Sequence, residues 1–134
     1  MKNQEIIKNE QIEDKIIELR GAKVIIDSDV AAIYGVETKV VNQAVKNNPE
    51  KFPDGYIIEV TDDEKSELVK NFDQFNNLKH SYATLKAFTE KGLYMLATIL
   101  KSKRATKKTI EIIETFAKLR ELSRTVNNLT KFSF

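Results

Sequence analysis

The hydrophobic pattern opens with two short apolar, β-rich runs, residues 16–19 (IIEL) and 23–26 (KVII), with Arg20-Gly21 between them. Such runs predict two short strands joined by a turn. From residue 27 the spacing becomes helical. Val30, Ala31, Ile33 and Tyr34 can pack from one short helix, capped by Asp27 or Ser28. Gly35 marks a sharp turn that a left-handed backbone would need. A second helix starts at Glu37 or Thr38 and stops at Asn47-Asn48-Pro49, because the residue before proline resists the α region. Pro53-Asp54-Gly55 reads as a turn and residues 56–60 as a strand. Thr61 with Glu64 is a capping-box pattern opening a helix to about residue 71.

The second half has the same grammar. FDQFNNLKHSY is an amide-rich loop, and residues 83–88 are a strand candidate. Thr89 can cap a helix over residues 90–100, whose Leu93, Leu96, Ala97 and Leu100 share one face. A long last helix runs from about residue 103 to 127. The first dozen residues are polar, with room for one helical turn. Strands flank helices rather than alternate with them, so the expected class is α+β: short strands packed with a helix-turn-helix-like pair and a long C-terminal helix. The expected division is a polar segment at 1–15, a domain at 16–122 and an extension at 123–134.

The second helix of the pair is divided into two halves. At 100° per residue, Val40, Val41, Ala44 and Val45 fall on one side. Thr38, Lys39, Asn42, Gln43, Lys46 and Asn47 fall on the other, with no acid after Glu37. Asn and Gln can pair bidentately with adenine, Lys can bond guanine or phosphate, and Thr can touch a base edge or a thymine methyl. The helix start also favours phosphate. An ordinary solvated face would carry the same residues.

Composition narrows the classes. The 134 residues are 41% hydrophobic and 31% charged, enough for one soluble domain with a core. There is no cysteine, so disulfides, thiolate nucleophiles and cysteine metal sites are excluded. No segment resembles a signal peptide or approaches a membrane span, which points to the bacterial cytoplasm and away from membranes. The net charge is only +2, but residues 1–60 hold 8 Lys/Arg against 11 Asp/Glu and residues 61–134 hold 14 against 9. KSKRATKK is the densest basic stretch. If Ser102 caps the last helix, Lys103, Arg104, Lys107 and Lys108 fill its first turns and oppose the helix dipole, by roughly 0.3–1 kcal/mol each. A bound phosphate would relieve that repulsion.

Catalytic constellations are lacking. His80 is the only histidine and sits in the amide-rich loop, so neither a metal site nor a cofactor is expected. Lys79 and Tyr82 beside it can form a wing that touches backbone or minor groove. Glu111, Glu114 and Glu121 are interleaved with lysines and arginines, as on a solvated helix face. No Ser-His-Asp set, P-loop or GxGxxG occurs, and no enzyme is expected.

The spacing of the helix pair resembles the helix-turn-helix of DNA-binding regulators. Ala31 lies four residues before Gly35, Tyr34 and Val36 flank it, and Val41 and Ala44 are small apolar positions for a steep helix crossing. More of the chain is similar to one family. RGAKVIIDSDVAAIYGVETKVVNQAVKNNPEKFP, YIIEVTDDE, AFTEKGLYMLATILKSKRA and FAKLREL together resemble the phage "Orf six" N-terminal DNA-binding domain family, related to KilA-N and BRO-N domains. The resemblance spans residues 16–122. It implies an α+β DNA-binding domain of a phage or prophage regulator, transcriptional or antirepressor-like. The second helix departs from the pattern in carrying Val40 and Asn48 where basic residues are common, which implies weak, salt-sensitive binding by one copy.

The expectation is therefore that Thr38, Lys39, Asn42, Gln43 and Lys46 read bases of double-stranded DNA. Lys79, Lys103, Arg104, Lys107 and Lys108 would hold phosphates. On the last helix Leu122, Val126 and Leu129 continue the stripe of Ile112, Phe116 and Leu119. They imply a homodimer, or else a tail folded back on the domain. The rival reading is a protein–protein module that binds a phage or host regulatory protein, with the helix pair kept as scaffold.

Overall fold

A computed structural model of the chain describes residues 12–79 and 84–131. Residues 12–15 are helical and lead into the hairpin of β1 (Ile17–Leu19) and β2 (Ala22–Ile26). Arg20 and Gly21 both take positive φ at its tip. The helices α1 (Asp27–Tyr34) and α2 (Thr38–Asn47) follow, then a 3₁₀ turn at Pro49–Lys51. β3 (Ile57–Glu59) leads to α3 (Asp62–Asn71), and the capping box expected there is complete: Glu64 N donates to Thr61 Oγ1 at 3.2 Å and Thr61 N to Glu64 Oε1 at 2.9 Å.

The amide-rich segment is not irregular throughout, since Asp73–Leu78 forms a 3₁₀ helix that buries Phe75. His80 and Tyr82 lie outside the described residues. β4 is Lys86–Thr89, α4 is Glu90–Ala97 and α5 is Lys103–Lys131. α4 stops short of residue 100 because the Thr98 hydroxyl turns back onto the Met95 carbonyl, 2.7 Å away.

The four strands form one antiparallel sheet in the order β1-β2-β4-β3. Both faces of the sheet are covered. Ile25 and Phe88 point to one side, into a core closed by α1, α2, α4 and the first half of α5. Val24, Ile26 and Ala87 point to the other, where Leu68 of α3 and Phe75 cover them. Central strands covered on both faces are apolar at every position, as VII and AF are here.

The AFTEKG stretch ties sheet to helices. Thr89 ends β4 opposite Val24 and caps α4, its Oγ1 accepting from Gly92 N at 3.3 Å. The same oxygen lies 2.9 Å from the carbonyls of both Gly55 and Tyr56, to which its proton is donated. Gly92 packs so closely on β3's lead-in that a Cβ there would stand 2.1 Å from Tyr56 O. Backbone cannot yield as a side chain can, so this position needs glycine.

Candidate nucleic-acid interface

The α1–α2 turn is built from backbone bonds. Gly35 takes φ 70, its N–H bonds to Ala32 O at 3.2 Å, and Val36 N bonds to Ala31 O at 3.0 Å. This pairing satisfies the end of α1 and needs a left-handed residue after Tyr34. Neither Asp27 nor Ser28 caps α1; the cap position is Ile26 and makes no side-chain bond.

Two side chains fix the start of α5 against this turn. Thr109 Oγ1 donates to Ala105 O at 2.9 Å, which leaves it to accept from Tyr34 OH at 2.8 Å. Burial holds the Tyr34 phenol above its ordinary pKa, so it remains a donor. Arg104 folds over Gly35 so closely that a Cβ there would meet its Nη2 at 2.4 Å. The φ is what requires glycine here, since the exposed guanidinium could swing aside from a Cβ.

The basic run is thus brought beside the entry to α2. Ser102 caps α5 as expected, accepting from Ala105 N at 3.1 Å. Lys103, Arg104 and Lys107 are exposed. Lys108 is not equivalent to them: it pairs with Glu111 at 3.2 Å, and both side chains are largely covered. Lys79 is separated altogether. It stands beside the Asp73–Leu78 segment, on the far side of the sheet from α2, near Lys70 and Asp62.

On α2 the outward face is rotated from the one the pattern implied. Lys39, Gln43 and Lys46 are exposed, and Thr38 is half-buried. Lys39 sits 3.4 Å from Glu37 in a solvated ion pair. Gln43 Nε2 donates to Asn47 Oδ1 at 3.0 Å, one turn on. Val40, expected on the packed side, is 40% exposed. Asn42, expected to read bases, is turned inward instead: its Nδ2 donates to Asp27 Oδ2 at 3.2 Å.

The cause is Asp27, only 3% exposed at the start of α1. Its other oxygen accepts from Ser28 N at 2.8 Å. A buried carboxylate requires donors, and Asn42 is the α2 residue that reaches it. Burial pushes the Asp27 pKa up, while the bonds from Asn42, Ser28 N and Lys86 N draw it back. Asn42 Oδ1 is itself buried and makes no hydrogen bond among the described residues. The outward arc of α2 is therefore Lys39, Val40, Gln43, Lys46 and Asn47. No periodicity marks Asp27 as buried, so the rotation left no trace in the pattern.

On the outer half of α5, Leu122, Val126 and Leu129 are 59%, 56% and 66% exposed. Ile110 and Ile113, which the stripe did not include, are also exposed, on the opposite side of the helix. Among the described residues no three His, Asp or Glu side chains gather as a metal site would require. Among the same residues, no helix is long and apolar enough to cross a membrane.

The arrangement defines a two-sided α+β domain that presents a helix–glycine–helix pair beside a basic helix start. The ORF6N domain matches residues 14–99, and the chain belongs to that family, one that fits a phage-associated regulatory protein. The match takes in the sheet and α1 to α4; α5 lies beyond it. No curated protein and no solved structure matches the chain.

Proposed function

We propose that the protein is a DNA-binding, non-catalytic regulator of phage or prophage type, acting in the bacterial cytoplasm. α1 and α2 serve as a helix-turn-helix whose second helix enters the major groove. The reading side chains are Lys39, Gln43, Lys46 and Asn47, with Val40 toward thymine methyls and Thr38 at the phosphate end. Asn42 sets the roll of that helix from inside. Lys103, Arg104 and Lys107 hold phosphates. The outer stripe of α5, Leu122, Val126 and Leu129, pairs two copies and sets two α2 helices on half-sites about one turn, ~34 Å, apart.

The observation that carries this reading is Arg104 lying on Gly35, which joins the basic run to the entry of α2. Three exposed cations at one helix start are unfavourable alone and favourable beside a phosphate. The test is binding to a site selected from random duplexes, compared with unselected DNA. Gln43→Ala or Lys46→Ala should cost roughly 1–3 kcal/mol on the selected site and little on the other. Lys107→Ala should weaken both alike and lower the salt slope by about one ion. Equal losses everywhere for Gln43→Ala would show that α2 reads no bases.

A further inference from the structure

A second surface lies away from α2. Between the first turn of α4 and the outer half of α5 there is an open cleft of about 950 Å³. That is the upper end of the range for ligand sites. It exists because α5 leaves the body after Phe116 while α4 begins alongside it. One clamp ties the two helices across it: Glu90 Oε2 takes both Tyr94 OH and Arg120 Nη1, each at 2.5 Å.

The floor is apolar, from Phe116, Leu119 and the Tyr94 ring. The walls are cationic, with Lys23, Lys91, Arg120 and Arg124 against Glu90 alone. Glu90 is already engaged by Arg120 and Tyr94. Glu18 stands across the hairpin from Lys23 and offsets it. Among the described residues Lys91 reaches the Tyr56 ring, 6.0 Å from its centroid, and no acid. Arg124 makes no hydrogen bond or ion pair among the described residues. Lys91 and Arg124 thus line one cleft with the apolar Phe116 and Leu119, and Asn127 and Asn128, which line it too, can bond a peptide backbone.

We propose that this cleft docks an acidic segment of a partner protein, seating one aliphatic or aromatic side chain on Leu119 between carboxylates held by Lys91 and Arg124. The charges select carboxylates, and the floor selects the apolar anchor. Duplex DNA fits less well, because its phosphates stand on a convex surface with nothing apolar to seat. The position also separates the two roles. The chain leaving α2 touches the opposite end of α4, where Lys51 Nζ donates to Thr98 Oγ1 at 3.1 Å. DNA lying on α2 would leave the cleft open. The inference does not rest on DNA reading by α2.

The test is selection of short random peptides displayed on phage against the whole chain, followed by anisotropy titration of the best synthetic peptide. Enriched peptides should carry Asp or Glu on both sides of Leu or Phe. Lys91→Glu with Arg124→Glu should weaken the peptide by more than about tenfold. The milder Lys91→Gln with Arg124→Gln should weaken it less, and Lys39→Glu on α2 should leave it unchanged. All three substituted positions, Lys39, Lys91 and Arg124, are exposed, and circular dichroism reads whether the fold is kept. Selection that yields no acidic peptide, or a peptide indifferent to the double reversal, overturns the proposal. So does a reversal that weakens random duplex DNA as much as it weakens the peptide, which would assign the cleft to nucleic acid.

Discussion

α2 and the outer half of α5 are both amphipathic, and both depart from the simple rule that the apolar side faces in. α2 turns a polar residue inward, Asn42, and leaves Val40 in solvent. α5 keeps its apolar stripe in line with the core but runs past the body it would pack on, so Leu122 and Leu129 are outside. In the first case a buried charge chose the face. In the second, the described residues leave Leu122 59% exposed. A hydrophobic pattern states which residues could be covered together, and the neighbours decide whether they are.

The strongest way to break this contrast is on α5 itself. Phe116→Ala, at a site 2% exposed, should cost about 3–5 kcal/mol in denaturant unfolding. Leu122→Ala, six residues further along the same stripe, should stay within about 0.5 kcal/mol at low protein concentration. Comparable losses would mean that the outer stripe packs on its own domain.

The matching contrast on α2 is smaller. Asn42→Ala leaves the Asp27 carboxylate short of a donor and should cost roughly 1–3 kcal/mol of stability. Gln43→Ala, next along and exposed, should change stability by less than about 0.5 kcal/mol. If Gln43 proved the costlier of the two, α2 would be rolled as the pattern alone implied.

Pairing of copies can be read without an energy. Leu122→Lys with Val126→Lys should leave the circular dichroism spectrum unchanged and hold the chain as a monomer in sedimentation. The unaltered chain should sediment as a dimer at tens of micromolar. A monomer in both removes the pairing from the proposal.

The smallest effect sharpens the α2 side through pH. Asp27 is raised by burial, so its folded form holds a proton more tightly than the unfolded chain does. Its contribution favours the fold below the ordinary aspartate value and is lost as pH rises through the folded one. Glu64 is the opposite case. The Arg20 guanidinium, bonded at 2.8 and 2.9 Å, and the Thr61 backbone draw it down to about 2. Its contribution is full above the ordinary glutamate value and fades as pH falls toward 2. Carboxyl titration by NMR should place the Asp27 midpoint above that of an ordinary aspartate, because burial raises it. Asn42→Ala should raise it further, because the hydrogen bond lost was one that lowered it. A midpoint unmoved by that change would show that Asn42 does not hold the carboxylate.

Legibility followed how local each cause is. The Thr61–Glu64 box, the Gly35 turn and the Ser102 cap all act within a few residues, and each could be read from spacing. α1, α2 and the two-strand opening were legible for the same reason. What escaped was set across the sheet or between helices. Thr89 is a strand residue and a cap at once, which moved β4 from residues 83–88 to Lys86–Thr89. Phe75 turned an amide-rich loop into a 3₁₀ helix by finding a core on the outer face. The roll of α2 depends on Asp27, fifteen residues away from Asn42. Lys79 and Lys107 look alike in sequence, but the sheet separates them.

The Tyr34–Thr109 hydrogen bond, with the Arg104 guanidinium packed over Gly35, ties the α1–α2 turn to the root of α5. Whatever seats on Leu122 and Leu129 is consequently held at a fixed rotational phase to α2. One residue inserted after Glu121 would leave both surfaces chemically intact. It would advance the stripe by only about 1.5 Å but swing it by roughly 100° about the helix axis. An insertion of four residues would nearly restore the angle, about 5.4 Å along per full turn. In α5 an insertion close to a whole turn is therefore expected to be tolerated far better than one between turns, a constraint that no residue-by-residue comparison of the surfaces would reveal.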